Sequence, residues 1–250
     1  MTQIQNRDII TCMVIPVYKE SLSATEIQML QRVQRYFPYP KQVRFLAPDG
    51  LNMEAYETYE YATVYVEAKW LKSTDSYSKL MLDPEFYGRE EFKEFKTMII
   101  CQTDVLLLRP WDDELEQMVQ KYDYIGAPWP DGTELYSRMF KGVSAVKKFL
   151  SPRICYVGNG GLSLRNIPKT IELLDRYEKY RKCWNTGEDC FFAYYGQEND
   201  IGFRVAPVEA AETFALESNA RELITAGRIP WGVHAWEKYY PEIIKNEQWI

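Results

Sequence analysis

Residues 96–110 read KTMIICQTDVLLLRP, and this stretch decides the fold. Met98 to Cys101 and Val105 to Leu108 offer water no polar face, so they read as strand buried on both sides, as in a parallel sheet covered by helices. Gln102, Thr103 and Asp104 interrupt the run. A carboxylate in such a setting costs several kcal/mol unless it is paired, hydrogen-bonded or bound to a metal. Either Asp104 caps the following turn or helix, or it stands where the strand leaves the sheet, the end at which open α/β sheets bind ligands.

The flanking chain supports a sheet of that kind. Upstream, Asp8 to Val17 (DIITCMVIPV) is a first strand, and Ser23 with Glu26 forms a capping box for a helix that carries Ile27, Leu30, Val33 and Tyr36 or Phe37 inward and stops at Pro38 and Pro40. Val43 to Ala47 and Thr63 to Val66 are further strands, giving the β and α alternation of βαβ units. Downstream come a helix from Asp112 and Asp113, a strand over Tyr122 to Ala127, three glycines between apolar runs in CYVGNGGLSLR (155–165), a helix entered at Pro168, a short aromatic helix after GED (187–189) and a late strand over Phe203 to Val208. Asp131 to Pro152 shows little periodicity. With Arg138, Lys141, Lys147 and Lys148 it reads as a mobile lid over Asp131 to Lys148. No repeat or low-complexity linker breaks the chain, so one α/β domain over residues 1–250 is expected.

Composition bounds the function. The 250 residues are 46% hydrophobic with a net charge of −6 and a pI near 5.1, so no basic surface advertises nucleic acid as a partner. An anionic ligand must be met locally by a cation, a helix N-terminus or a metal ion. Five scattered cysteines without a C-x-x-C pair argue for reduced thiols. No apolar run approaches the roughly 20 residues of a membrane span, and MTQIQNRD is no signal peptide. The expectation is a cytoplasmic protein, at most peripheral at the inner membrane face.

Four stations could carry chemistry: Asp104, Gly158 to Gly161, Glu188 with Asp189, and His234. Each has a plain alternative. The glycines allow positive φ and close backbone approach to a ligand, or simply a tight turn. Glu188 and Asp189 suit the first turn of any helix. His234 is the only histidine, so imidazole chemistry must use it, yet a histidine beside tryptophans is also a common hydrogen-bonded core residue.

Taken in order, VIPVYKES (14–21), QTD (102–104), YIGAPW (124–129), VGNGGLSLR (157–165), GEDCFF (187–192) and PWGVHAW (230–236) resemble a family of small bacterial proteins related to GT-A glycosyltransferases and catalogued largely as a domain of unknown function. The resemblance runs from about Asp8 to Trp236. It implies a GT-A-like fold with a mostly parallel central sheet, a nucleotide-sugar-binding half over about 8–110 and an acceptor half over about 111–250. It also implies transfer from a nucleotide-diphosphate sugar to a saccharide or lipid-linked saccharide.

QTD stands where GT-A enzymes carry an Asp-x-Asp motif, which leaves Asp104 as the one carboxylate ligand of a divalent ion, Mn²⁺ or Mg²⁺, with His234 resembling the late histidine that completes such a site. The same resemblance assigns Pro16, Val17, Tyr18 and Glu20 to base and ribose, Gln102 and Thr103 to the donor, and Lys79 and Arg165 to phosphate. Gly160 and Gly161 would approach the transferred sugar, with Asn159 on its hydroxyls. Asp189 would be the general base of an inverting displacement, with Glu188 supporting it or bonding an acceptor hydroxyl. Tyr136, Phe140, Trp184 and Tyr194 are candidates to stack on an acceptor sugar. The alternatives are a sugar- or nucleotide-binding protein without turnover, favoured by QTD, and a nucleotidyltransferase, disfavoured because PVYKESLS has no glycine. The missing G-x-G-x-x-G disfavours a dehydrogenase.

Overall fold

The structure is a computed structural model and describes residues 11–137, 152–198 and 200–245. The chain opens with β1 (Thr11–Pro16), buried throughout. Ser23 then caps α1 (Ala24–Tyr36): its hydroxyl accepts the Glu26 amide, and the Glu26 carboxylate accepts the Ser23 amide, so the expected capping box is present. Met29, Leu30 and Val33 face inward, with Phe37 at the C-cap. Ile27, expected on this face, points outward and is 38% exposed; the buried stripe begins two residues later than the spacing suggested.

Next come β2 (Val43–Pro48), β3 (Ala62–Val66), α2 (Thr74–Met81), α3 (Pro84–Tyr87) and β4 (Thr97–Cys101). They are followed by β5 (Leu106–Leu107), α4 (Asp113–Lys121), β6 (Tyr124–Ile125), β7 (Pro128–Tyr136), β8 (Pro152–Val157) and β9 (Leu162–Asn166). The remainder is α5 (Ile167–Arg176), α6 (Glu178–Arg181), α7 (Glu188–Tyr195), α8 (Val208–Phe214), β10 (Ala215–Leu216), α9 (Ala220–Thr225), β11 (Gly232–Val233) and α10 (Trp236–Tyr239).

The main sheet has six strands in the order β3-β2-β1-β4-β9-β6. β1 to β4 run parallel, and β9 lies antiparallel to both β4 and β6. The expected mixed α/β fold with a mostly parallel sheet flanked by helices is therefore present. Period-two alternation along the strands feeds two apolar layers. Met13 and Ile15 of β1 pack with Met29, Leu30 and Val33 of α1 on one side, while Cys12 and Val14 pack with Leu80 and Met81 of α2 and with Phe191 and Phe192 of α7 on the other. Each such side chain stabilises by about 1.5–3 kcal/mol on burial.

Three expectations are corrected. Val105 to Leu108 does not continue β4, because the chain turns at Gln102 to Asp104, with the Val105 amide on the Gln102 carbonyl at 3.0 Å. Leu106–Leu107 instead joins a separate small sheet, β10-β11-β5; both places are fully buried, and burial alone does not separate them. Phe203 to Val208 is not a strand, since only Val205 bridges to Tyr124 and α8 begins at Val208. Asp131 to Tyr136 is not aperiodic loop but most of β7, paired antiparallel with β8. A two-stranded ribbon open to solvent has little apolar alternation to display. The remainder of the expected lid, with Arg138, Phe140, Lys141, Lys147 and Lys148, lies outside the described residues.

Candidate functional site

The chain leaves β1 toward β2 on one side and crosses from β3 to β4 on the other, so the strand order reverses between β1 and β4. Such a switch point parts the loops beyond the strand ends and opens a crevice. A cleft of about 540 Å³ lies there, within the usual range of small-ligand sites. It is lined by Pro16 at the end of β1 with Tyr18 and Lys19 beyond it, by Gln102, Thr103 and Asp104 after β4, by Lys72 and Ser73 just before α2 with Thr74 and Tyr77 on it, and by Glu237. Lys19 is tied to Glu26 at 2.9 Å. The Tyr77 hydroxyl, buried beside Gln102, makes no well-directed hydrogen bond.

The small sheet explains how three distant residues meet. Val233 of β11 pairs with Leu106 of β5 in antiparallel register, which sets the following residue, His234, against the Gln102 to Asp104 turn. Leu216 of β10 pairs with Val233 in parallel, which sets Glu217 beside His234, and the His234 amide donates to the Leu216 carbonyl at 2.9 Å. His234 Nε2 lies 3.3 Å from Asp104 Oδ1, and Nδ1 lies 3.3 Å from Glu217 Oε2. Burial alone would lower the imidazole's pKa, but the two carboxylates outweigh it and push it up to about 9. Burial would raise the Asp104 carboxyl, and His234 more than offsets this, holding it below the usual carboxylate range.

A carboxylate and an imidazole at this separation could together hold a divalent ion. Two cis ligands of an octahedral ion at about 2.0–2.1 Å stand about 3 Å apart, close to the observed Asp104 to His234 separation. Among the described residues no three His, Cys, Asp or Glu side chains converge into a full cage. Asp104 and His234 are thus two side chains that could hold an ion, short of a full set of protein ligands.

The second constellation lies at the start of α7. Glu188 is buried and fully engaged: Oε1 accepts from Arg165 at 3.0 Å and Oε2 from the Ser78 hydroxyl at 2.9 Å. With each oxygen already accepting a hydrogen bond and the side chain only 7% exposed, it is turned into the protein rather than toward an acceptor hydroxyl, contrary to one of its two expected roles. Arg165 also donates to the Tyr87 hydroxyl at 2.8 Å and stacks over Phe192 at 4.9 Å. Its side chain is 0% exposed, so the expected direct phosphate contact is replaced by a buried ion pair. Asp189 is only half-buried and accepts from the Cys190 amide at 2.7 Å. Burial and, next, the neighbouring Glu188 charge push its carboxyl up to about 6.

The glycines act through space rather than through φ. None of Gly158, Gly160, Gly161 or Gly187 has a positive φ. A β-carbon on Gly160 would stand 2.7 Å from Glu188 Oε1, and one on Gly161 would overlap the His234 ring. The pair therefore runs between the two carboxylate stations, with half-buried Asn159 beside it. A β-carbon on Gly187 would collide with the Asp189 carboxylate.

Other expected residues fall elsewhere. The Val17 side chain is core, and Glu20 is exposed and does not line the cleft. Lys79 faces a separate cavity of about 230 Å³ with Asp75, Ser78 and Trp184; Lys72, just before the Ser73 cap of α2, lines the cleft together with Lys19 and was missed by sequence reasoning. Tyr136, Trp184 and Tyr194 are buried in the core rather than open for stacking. Glu217 was missed too. Its only signal is an apolar pair followed by a carboxylate, ALE, matching GVH before His234.

These features define an α/β protein with a ligand cleft at its topological switch point and two carboxylate stations beyond it. Residues 60–234 match the family described as "Protein of unknown function (DUF5672)", and the chain belongs to that family. No curated protein matches its sequence. Among solved structures, mouse xyloside xylosyltransferase 1 in its apo form is similar, with 12% identity and a TM-score of 0.49 over 90% of this chain and 96% of that chain. Among the described residues no helix is long and apolar enough to cross a membrane.

Proposed function

We propose that this chain is a metal-dependent glycosyltransferase that moves a sugar from a nucleotide-diphosphate sugar to a hydroxyl of a saccharide or lipid-linked saccharide. The observation that carries the reading is the 3.3 Å approach of His234 to Asp104, which lines a cleft at the β1/β4 switch point. The donor half is residues 8–110, with the base and ribose beside Pro16 and Tyr18 and the diphosphate facing Gln102, Thr103, Asp104 and Lys72. The acceptor half is residues 111–250. Asn159, Gly160 and Gly161 line the path of the transferred sugar between the two stations.

Asp104 and His234 would hold a divalent ion, Mn²⁺ or Mg²⁺, which when bound would supply positive charge against the departing diphosphate. Asp189 takes the proton of the acceptor hydroxyl as that oxygen bonds to the anomeric carbon, and the bond from that carbon to the phosphate oxygen breaks with its electron pair leaving on the diphosphate. A carboxyl near pKa 6 is largely ionised at neutral pH and basic enough to help. Glu188, locked by Arg165 and Ser78, is the fixed neighbour that keeps Asp189 basic. A single in-line displacement inverts the anomeric centre.

The test is incubation with a panel of nucleotide sugars and Mn²⁺, reading nucleoside diphosphate release and the product's anomeric configuration by NMR. Release with inversion is expected, and a product with the donor's anomeric configuration would remove Asp189 as base. One carboxylate in QTD favours a second reading, a binding protein without turnover, which would bind nucleotide and release none. Pyrophosphate as the product would instead mark nucleotidyl transfer.

A further inference from the structure

Resting on the metal site proposed above, we infer that Glu217 is a positioning residue for that site: it holds His234 with Nδ1 protonated and Nε2 presented toward Asp104. An imidazole can offer either nitrogen to an ion, and the hydrogen bond made by the other nitrogen fixes the choice. Here the two nitrogens face different carboxylates at equal distances of 3.3 Å. The surroundings break the tie. Glu217 Oε2 and His234 Nδ1 are both buried from solvent and neither makes a well-formed hydrogen bond, while they face each other at 3.3 Å. The Asp104 side chain is 46% exposed and lines the cleft, whereas the Glu217 side chain is 14% exposed and does not line it. Nε2 is thus on the ligand side and Nδ1 on the protein side.

The backbone fixes the orientation of the ring before any ion arrives. Paired β10 and β11 deliver Glu217 and His234 from adjacent strand ends. Gly161, by lacking a side chain, leaves room for the ring edge that carries Nε2. A carboxylate that faces the far nitrogen of a ligating histidine orients the ring and raises its basicity, and its loss typically costs 10–100-fold in metal affinity.

Because the chain has one histidine, ¹⁵N-histidine labelling gives a single imidazole whose two nitrogens are read without assignment. The experiment uses the full chain with Zn²⁺ alone, a diamagnetic probe, and compares the parent with Glu217→Leu and Glu217→Gln. The parent is expected to bind zinc through Nε2 with a proton on Nδ1. Glu217→Leu, which removes the acceptor, should weaken zinc by about 10–100-fold and lose the fixed tautomer; Glu217→Gln, which keeps a carbonyl acceptor, should retain the tautomer and lose less. Ligation through Nδ1 in the parent, or unchanged zinc affinity in Glu217→Gln together with either unchanged affinity or failure to fold in Glu217→Leu, overturns the role of Glu217 and leaves the donor-site reading standing. A parent that binds no zinc at all overturns both this inference and the metal site beneath it.

Discussion

Gly161 and His234 are packed so closely that the backbone of one and the ring of the other share the space a β-carbon would need. Gly161 also accepts the Gln102 amide on its carbonyl at 2.8 Å, so it touches both sides of the candidate metal site. Gly161→Ala should push the imidazole away from Asp104 and weaken Mn²⁺ by tenfold or more while far-UV circular dichroism stays unchanged. Calorimetric titration with Mn²⁺ checks this; parental affinity in the alanine variant would show that the ring has freedom the packing denies it.

Arg165 and Glu188 form an ion pair with side chains 0% and 7% exposed. Removing one partner strands a buried charge, which costs about 3–5 kcal/mol. Arg165→Met should lose that much in denaturant unfolding. Arg165→Met with Glu188→Leu should recover part of it, because neither charge then remains. A single variant as stable as the parent would mean that solvent reaches Glu188.

Asp189 predicts a stability gain paired with loss of turnover. Its folded-state pKa, about 6, lies above the ordinary 3.8. Between these values the folded chain keeps a proton that the unfolded chain has released, so this group's contribution to stability falls as pH rises through the window. Asp189→Asn, which cannot ionise, should therefore raise Tm relative to the parent more at pH 7.5 than at pH 4. If Asp189 is the base, activity in the parent should climb between about pH 5 and 7 and fall more than tenfold in the variant. A pH-independent Tm difference would contradict the buried ionisation.

Lys72 lines the cleft and Lys79 does not. Lys72→Ala should weaken nucleoside diphosphate binding several-fold, and Lys79→Ala should leave it within twofold. The reverse order would place the phosphates in the Lys79 cavity instead.

The legible parts of this protein were those written in contiguous residues. The capping box of α1, the buried strand β4 and the anomaly of Asp104 follow from local spacing, and the solitary His234 could be paired with Asp104 before any coordinates. Glu217 was out of reach because it depends on the pairing of β10 with β11, each two residues long, too short for any periodicity. Arg165 was misread as a phosphate ligand because its partner, Glu188, lies 23 residues away, and nothing local distinguishes a buried arginine from a solvated one. Lys72 precedes the cap of α2 and Lys79 sits in its last turn, and nothing local says which of the two cavities each lysine meets. The Leu106–Leu107 strand failed for another reason: a fully apolar segment fits any buried sheet equally well, and the turn at Gln102 to Asp104 chose the second sheet.

The most direct test is the thermal shift of the parent and of Asp104→Asn with a panel of nucleoside diphosphates, each with Mn²⁺ and with chelator. A diphosphate at 100 times its Kd should stabilise the parent by about 2.7 kcal/mol when Mn²⁺ is present and much less with chelator, and Asp104→Asn should show little shift in either. A full Mn²⁺-dependent shift in Asp104→Asn, or no shift of the parent with any diphosphate, would contradict a metal-assisted nucleotide site at Asp104.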